Sequence, residues 1–229
     1  MRHLLRSIPI AYLLLSHLPL AHADDWPQWR GPNRDCVWHG TRIIQKFDSP
    51  NIPHVWRADI SNGYCGPTVA ENRVYVMDRI RDPHEAERVL CFDAKTGDPL
   101  WTHEYDCEYR DVGYDDGPRA SVLIEKGRAY SLGSMGHLFA LDAGTGSPIW
   151  KRDLNKEYKI RMPVWGIAAS PVVEGDLLIV QIGGEDGACL VAFDKANGEE
   201  RWRALDDNAS YAAPILIDQA GERVLIVYT

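Results

Sequence analysis

The sequence predicts an all-β protein, a β-propeller of four-stranded antiparallel blades, and three observations carry that prediction. A unit Asp-x-x-x-Gly-x-x-x-Trp occurs three times, as Asp93, Gly97, Trp101, as Asp142, Gly146, Trp150, and as Asp194, Gly198, Trp202. Asp to Asp the steps are 49 and 52 residues, and Trp to Trp they are again 49 and 52, so the unit is rigid while the segments between units vary. A period of about 50 means a repeat architecture, and the 3.6-residue apolar periodicity of helical solenoids is missing. Each period also holds four short apolar runs separated by turn residues, the make-up of one propeller blade.

Taken in order, the first 23 residues read as a secretory signal peptide: Arg2 and Arg6, an apolar run from Ile8 to Leu20, and Ala21-His22-Ala23 as a small-x-small cleavage site. A transmembrane anchor is the alternative, but the run, of about 13 residues and interrupted by Pro9, His17 and Pro19, is short of the roughly 18 a span needs. The expected product is exported, periplasmic or extracellular, with no stable membrane span once the signal is cleaved. Residues 24–53 contain Trp26-Pro27-Gln28-Trp29-Arg30-Gly31-Pro32-Asn33-Arg34-Asp35, with neither helical nor strand periodicity. They read as an ordered Trp/Pro/Gly-rich arm that packs against a larger body. From 54 to 229 the chain reads as blades.

His54–Ala58 is expected as a strand, the orphan last strand of an incomplete unit, because Trp56 precedes Trp101 by 45 residues. The next unit has Thr68–Ala70, a turn at Glu71-Asn72, Val74–Met77, a polar loop from Asp78 to Glu87, Val89–Phe92 and Leu100–His103. The second has Val122–Ile124, Ala129–Leu132, His137–Leu141 and Ile149–Lys151. The third has Pro171–Val173, Leu177–Ile182, Cys189–Phe193 and Arg201–Arg203, with Gly183 to Gly187 as a hairpin turn. A fourth begins with Pro214–Ile217, turns at Ala220-Gly221 and enters Val224–Tyr228. The expected content is therefore about three full blades plus partial ones, with bare blade faces that would be met by remaining blades or by self-association.

The repeated residue types have physical reasons. An Asp at a strand end accepts hydrogen bonds from backbone N–H groups two residues on, and a Gly four residues later supplies a positive φ without steric cost. A Trp on the outer strand offers a broad apolar face and an N–H able to reach a neighbouring carbonyl, which suits it to docking one blade on the next.

Composition narrows the function. Asp plus Glu number 33 against 25 Lys plus Arg, a formal net charge of −8. That balance, without a basic cluster, excludes nonspecific nucleic-acid binding. Five cysteines, Cys36, Cys65, Cys91, Cys107 and Cys189, are an odd number without zinc-site spacing. Cys91 and Cys189 fall on expected buried strands and read as reduced small hydrophobes. No metal site is assigned.

Aligning the blades on Pro67, Val122, Pro171 and Pro214 places Tyr64, Arg119, Ala168 and Tyr211 three residues earlier, with Trp165 slightly upstream of Ala168. In a propeller those strand entries converge on one mouth of the central channel, where ligands bind. Tyr64, Arg119, Trp165 and Tyr211 are therefore the candidate ligand-binding residues, with packing of the inner strand junctions as the alternative. The loop from Asp106 to Gly117 gathers five carboxylates but lacks calcium-loop spacing and reads as a solvated acidic insertion. Catalytic residues are not assignable: no Gly-x-Ser-x-Gly elbow or Ser/His/Asp order is present.

The triple motif Ala/Cys-Leu/Phe-Asp-x-x-x-Gly-x-x-x-Trp resembles the tryptophan-docking repeat of the quinoprotein, or PQQ-like, propeller superfamily, and Asp25 to Arg34 is similar to the N-terminus of its secreted members. Propellers of that superfamily have about seven or eight blades, so the resemblance implies roughly the N-terminal half of one. The superfamily contains alcohol and sugar dehydrogenases, an outer-membrane assembly scaffold and sensor domains of bacterial kinases. Its dehydrogenases use pyrroloquinoline quinone (PQQ), a polarising calcium ion, a Trp platform, an Asp base and often a disulfide of adjacent cysteines. Here no cysteines are adjacent, and no calcium ligand or base carries over by position. The residues identify no cofactor; PQQ and calcium are implied by the resemblance alone. The functional expectation is a noncatalytic exported binding or scaffold domain for a protein or small-molecule ligand. The alternative is a PQQ-dependent alcohol or sugar dehydrogenase whose other blades lie elsewhere. A kinase sensor would need a membrane span and a kinase domain, and the sequence has neither.

Overall fold

Three consecutive four-stranded meanders and a two-stranded hairpin make up the computed structural model, which describes residues 25–38, 40, 44, 46–114 and 116–229. The expected signal peptide lies outside the described residues. The first sheet holds β1 (Thr68–Ala70), β2 (Arg73–Ile80), β3 (Ala86–Asp93) and β4 (Pro99–Asp106), antiparallel and in sequence order. The second repeats the order with β5 (Leu123–Glu125), β6 (Arg128–Leu132), β7 (His137–Asp142) and β8 (Pro148–Asp153). The third does so with β9 (Val172–Glu174), β10 (Leu177–Gly184), β11 (Ala188–Asp194) and β12 (Glu200–Ala204). The hairpin pairs β13 (Ile215–Gln219) with β14 (Glu222–Ile226). These are blades of an incomplete propeller, built as the sequence predicts.

Stacking explains which residues are buried. The middle strands β3, β7 and β11 are buried along nearly their whole length, whereas β4, β8 and β12 alternate between exposed and half-buried side chains. A strand covered on both faces must be apolar throughout, while an outer strand needs only one apolar face. The second blade shows the division residue by residue. Ala129, Phe139 and Leu141 pack toward the first blade with Tyr75, Met77 and Cys91. Their alternates Tyr130, Leu132, Leu138 and Ala140 pack toward the third with Leu178, Val180 and Phe193. Leu216 and Leu225 of the hairpin meet Val172 and Ile179 of the third blade beside Trp202.

Three differences from the sequence reading have clear causes. His54–Ala58 is not a strand: among the described residues no partner strand lies beside it, and the spacing of Trp56 reflects docking, since its indole N–H donates to the Ala94 carbonyl at 2.9 Å and its ring covers Gly97. The polar loop expected from Asp78 to Glu87 shrinks to residues 81–85, because polar residues pair across the strands. Asp78 stands opposite Arg88, and the guanidinium binds the carboxylate at 2.8 and 2.6 Å. Finally, a one-turn helix α1 (Leu154–Tyr158) follows β8, capped by Asp153, whose carboxylate accepts from the Lys156 N–H, and closed by Lys159 in the left-handed conformation. It is too short for an apolar periodicity to announce it.

Residues 25–38 run across the inner strands instead of forming a body of their own. Trp26 exchanges both backbone hydrogen bonds with Val69 of β1, and the Pro27 carbonyl accepts from the Ile124 N–H of β5. Farther on, Arg34 donates to the carbonyls of Pro171 and Pro214, which precede β9 and β13. The arm thereby fills unpaired backbone groups on the inner edge strands of the first two blades and ties together the strand entries of the last two.

Candidate functional site

The two ends of the blades are built differently. At the lower end lie the three repeated turns. The Asp93 carboxylate accepts from the N–H groups of Lys95 and Thr96, both at 2.9 Å; Asp142 accepts from the Thr145 N–H at 2.8 Å and hydroxyl at 2.9 Å; Asp194 accepts from the Ala196 N–H at 2.8 Å and from Arg201 at 2.6 Å. These bonds hold all three carboxyls below their usual range, chiefly through the Thr96 N–H, the Thr145 hydroxyl and the Arg201 guanidinium respectively.

Each glycine closes its turn with a positive φ, +77°, +72° and +75° for Gly97, Gly146 and Gly198, and a Trp of the preceding unit lies flat over it. Trp101 donates to the Ala143 carbonyl at 3.0 Å and Trp150 to the Lys195 carbonyl at 3.2 Å. A bulge recurs beside every Trp: Cys91, Ala140 and Ala192 face Trp101, Trp150 and Trp202, and the next pairing skips a residue on the outer strand. Bulges increase local twist and re-aim side chains, here next to the indole that must leave its own sheet to reach the next.

At the upper end, where the innermost strands begin, a belt of small residues joins the blades. The Ser121 hydroxyl donates to the Gly66 carbonyl at 2.9 Å, and the Ser121 N–H donates to the Ser170 hydroxyl at 2.9 Å. The candidate ligand-binding residues stand just above it. Arg119 lies over the Tyr64 ring at 4.9 Å, while its terminal nitrogens donate to the carbonyls of Gly117 at 3.0 Å and Tyr114 at 2.7 Å. Tyr64 donates to Asp116 at 3.2 Å, and Arg81 binds the other oxygen of that carboxylate at 3.0 Å. Loss of hydration, then Asp116, raises the Tyr64 pKa.

Trp165 stacks on Tyr211 with centroids 4.7 Å apart, its backbone N–H donates to the Tyr211 hydroxyl at 3.3 Å, and Tyr114 meets its ring edge-on at 6.1 Å. The structure thus groups the four sequence-derived candidates as two pairs, Tyr64 with Arg119 and Trp165 with Tyr211, and Tyr114 links the pairs. Tyr114 escaped the sequence reading because it sits in the acidic loop rather than at the aligned strand entry.

Local folding explains the exposure of this row. The Gly166 N–H closes a turn on the Pro163 carbonyl at 2.7 Å with Val164 and Trp165 at its tip, and Gly166 has φ +70°. The Asp106–Gly117 loop is pinned beneath by a buried carboxylate: Glu87 accepts from the hydroxyls of Tyr105 and Tyr109 and from the Ser134 N–H. The result is an aromatic row whose members remain 40 to 59% exposed, Tyr211 the least and Tyr114 the most. Clefts of about 390 to 460 Å³ lie elsewhere, beside the arm, against α1 and over the third repeated turn.

The quinone and calcium implied by the resemblance find no fitting residues on this rim. Calcium takes six to eight oxygen ligands, and among the described residues no cluster of three or more His, Cys, Asp or Glu could hold a metal ion. Asp116 is engaged by Tyr64 and Arg81, and one face of the Trp165 ring is already covered by Tyr211. All five cysteines are thiols, with Cys91, Cys107 and Cys189 buried. No helix among the described residues is long and apolar enough to cross a membrane.

Comparison with known proteins follows the architecture. No curated protein matches the chain. The fold of quinohemoprotein alcohol dehydrogenase from Comamonas testosteroni is similar over 80% of this chain and 27% of that one, with a TM-score of 0.56 and 24% identity. Quinohemoprotein alcohol dehydrogenase ADHIIG from Pseudomonas putida HK5 gives a TM-score of 0.49 over 64% and 21% of the two chains at 24% identity. BamB from Moraxella catarrhalis gives 0.39 over 58% and 34% at 19% identity. The chain spans about a quarter of the length of the dehydrogenases and a third of that of BamB. The family model described as "Outer membrane protein assembly factor BamB" matches residues 52–219, well over half of the sequence. The three docked blades and this match together show that the chain belongs to the PQQ-like propeller repeat family.

Proposed function

We propose that this chain is a noncatalytic, exported binding module whose upper rim docks a protein partner. The observation that carries the reading is the row Tyr64, Arg119, Tyr114, Trp165 and Tyr211, held in place by hydrogen bonds yet with its aromatic members left open to solvent. Aromatic and Arg side chains of this kind are the usual anchors of protein interfaces. Small-molecule sites, in contrast, are concave and enclose most of their ligand. Export rests on the leader-like first 23 residues.

A photo-crosslinking amino acid at position 114 in the native host tests the reading. A single discrete adduct that disappears in Trp165→Ala or Tyr211→Ala is the expected result. Dye-linked alcohol oxidation after addition of PQQ and calcium should be absent. Turnover lost on mutation of the rim would replace the proposal with the dehydrogenase reading.

A further inference from the structure

Arg34 presents a different problem from the rim. Its side chain is buried, with the residue only 6% exposed, and it is held by three neutral acceptors: Gln28 Oε1 at 2.9 Å, the Pro214 carbonyl at 2.6 Å and the Pro171 carbonyl. A guanidinium has five N–H donors, so two remain. Among the described residues no carboxylate pairs with it, and the charged group that acts on its titration is another cation, Arg30. Burial first and Arg30 second bring its pKa down to about 10. A buried charge without a counter-charge is costly, and proteins normally pair it.

Beside this guanidinium a polar cleft of about 390 Å³ separates the arm from β9 and β13. Gln28, Asn33 and Arg34 form its arm side, and Val172, Leu216 and Asp218 its blade side. Arg223 also reaches it, but that charge is spent on Glu174 at 3.0 Å and on Asp218 at 3.1 Å, which in turn neutralises the Asp218 carboxylate. The lining charge left without a partner is therefore that of Arg34. The two proline carbonyls and Gln28 hold its plane fixed, so little side-chain entropy is lost when an anion arrives.

We infer that this cleft is a binding site for a small oxyanion, a carboxylate or a phosphate, recognised by the two uncommitted N–H donors of Arg34. The planar fork matches two oxygens of such a group. The site is distinct from the aromatic rim and does not depend on the role proposed for it.

Thermal denaturation of the whole chain at constant ionic strength, with chloride replaced stepwise by phosphate or by acetate, measures the effect. The midpoint should climb with either anion along a saturating curve, by roughly 3–5 °C at ten times the dissociation constant. Arg34→Gln should flatten the curve. Asn33→Asp, at an exposed arm position, should raise the midpoint in chloride alone and blunt the phosphate response by supplying the counter-charge internally. Calorimetric titration of inorganic phosphate into the wild-type chain should give heat that Asn33→Asp removes. Midpoints in phosphate and acetate that match chloride, or an undiminished response in Asn33→Asp, would overturn the inference. A response to phosphate and not to acetate would support it and assign the phosphate class.

Discussion

Replacing Gly146 by Ala tests the docking of one blade on the next. A Cβ added there would fall 2.5 Å from Cε3 and 2.7 Å from Cδ2 of Trp101, inside any real contact distance, and the residue has φ +72°. The left-handed backbone costs an L-residue about 1–2 kcal/mol, and overpacking a fitted contact adds about 1–3 kcal/mol. Gly127→Ala is the matched control, since its φ is +73° and nothing lies within 4 Å of the added Cβ. Gly146→Ala should therefore exceed Gly127→Ala by about 1–3 kcal/mol, all of it from the seam.

Trp101→Ala alone should cost about 2–3 kcal/mol, below the full value for a buried Trp because the ring is only partly buried. Trp101→Phe should lose only about 1 kcal/mol, because the Ala143 carbonyl keeps the Tyr75 hydroxyl at 3.2 Å. In the double variant Trp101→Ala/Gly146→Ala the clash disappears, so the combined loss should fall short of the sum by about 1–3 kcal/mol. Urea unfolding followed by near-ultraviolet circular dichroism gives each value. Equal losses for Gly127→Ala and Gly146→Ala, or strict additivity in the double variant, would refute the docking argument.

Three further outcomes follow from the same structure. Glu87→Gln should destabilise by about 2–3 kcal/mol, because an amide cannot accept at both ends from Tyr105, Tyr109 and the Ser134 N–H, and urea midpoints that equal wild type would contradict that role. Burial pushes the Cys65 and Cys91 thiols up to about 11, so the unfolded chain ionises first: stability is whole below pH 9 and falls toward pH 11, by up to about 1.4 kcal/mol per unit for each thiol. Cys91→Ala should reduce that slope, and a flat profile from pH 9 to 10.5 would exclude the effect. The depressed carboxyls of Asp93, Asp142 and Asp194 act in the opposite direction, contributing stability above their usual range that is lost as pH falls through their lowered values. The triple Asp→Asn variant should then denature in acid with a shallower pH dependence than wild type.

The blades were legible because their information is local and repeated. An Asp, a Gly and a Trp within nine residues specify a turn, a positive φ and a docking face, and each copy restates the others. Tyr75 and Tyr130, which share their acceptor carbonyls with Trp101 and Trp150, occupy equivalent positions opposite Thr68 and Leu123, but a non-polar Ile179 in the third blade breaks the pattern. The arm was legible only as ordered. Its route depends on Val69, Ile124, Pro171 and Pro214, four partners spread over more than half the chain and joined to it through backbone atoms. The pairing with Val69 and Ile124 is backbone to backbone and leaves no side-chain signature at either end, and at Pro171 and Pro214 only the donor, Arg34, is a side chain. At Trp56 the spacing suggests an orphan strand, whereas it reflects docking on Gly97, and spacing alone could not show that no strand partner is present among the described residues.

Structural demands differ along the blade axis, and the loop lengths follow from it. Lower turns must place an Asp, a Gly and the next Trp within a fixed geometry, so their length cannot drift without undocking a neighbour. Upper loops carry no such constraint above the Gly66, Ser121 and Ser170 belt, because that belt fixes the inner strand entries before the loops diverge. Insertions such as Asp106–Gly117 can therefore enter at the upper end at little cost to the stack, provided an internal anchor such as Glu87 holds them. Variation concentrates where it is structurally cheap, and the exposed aromatic row lies there.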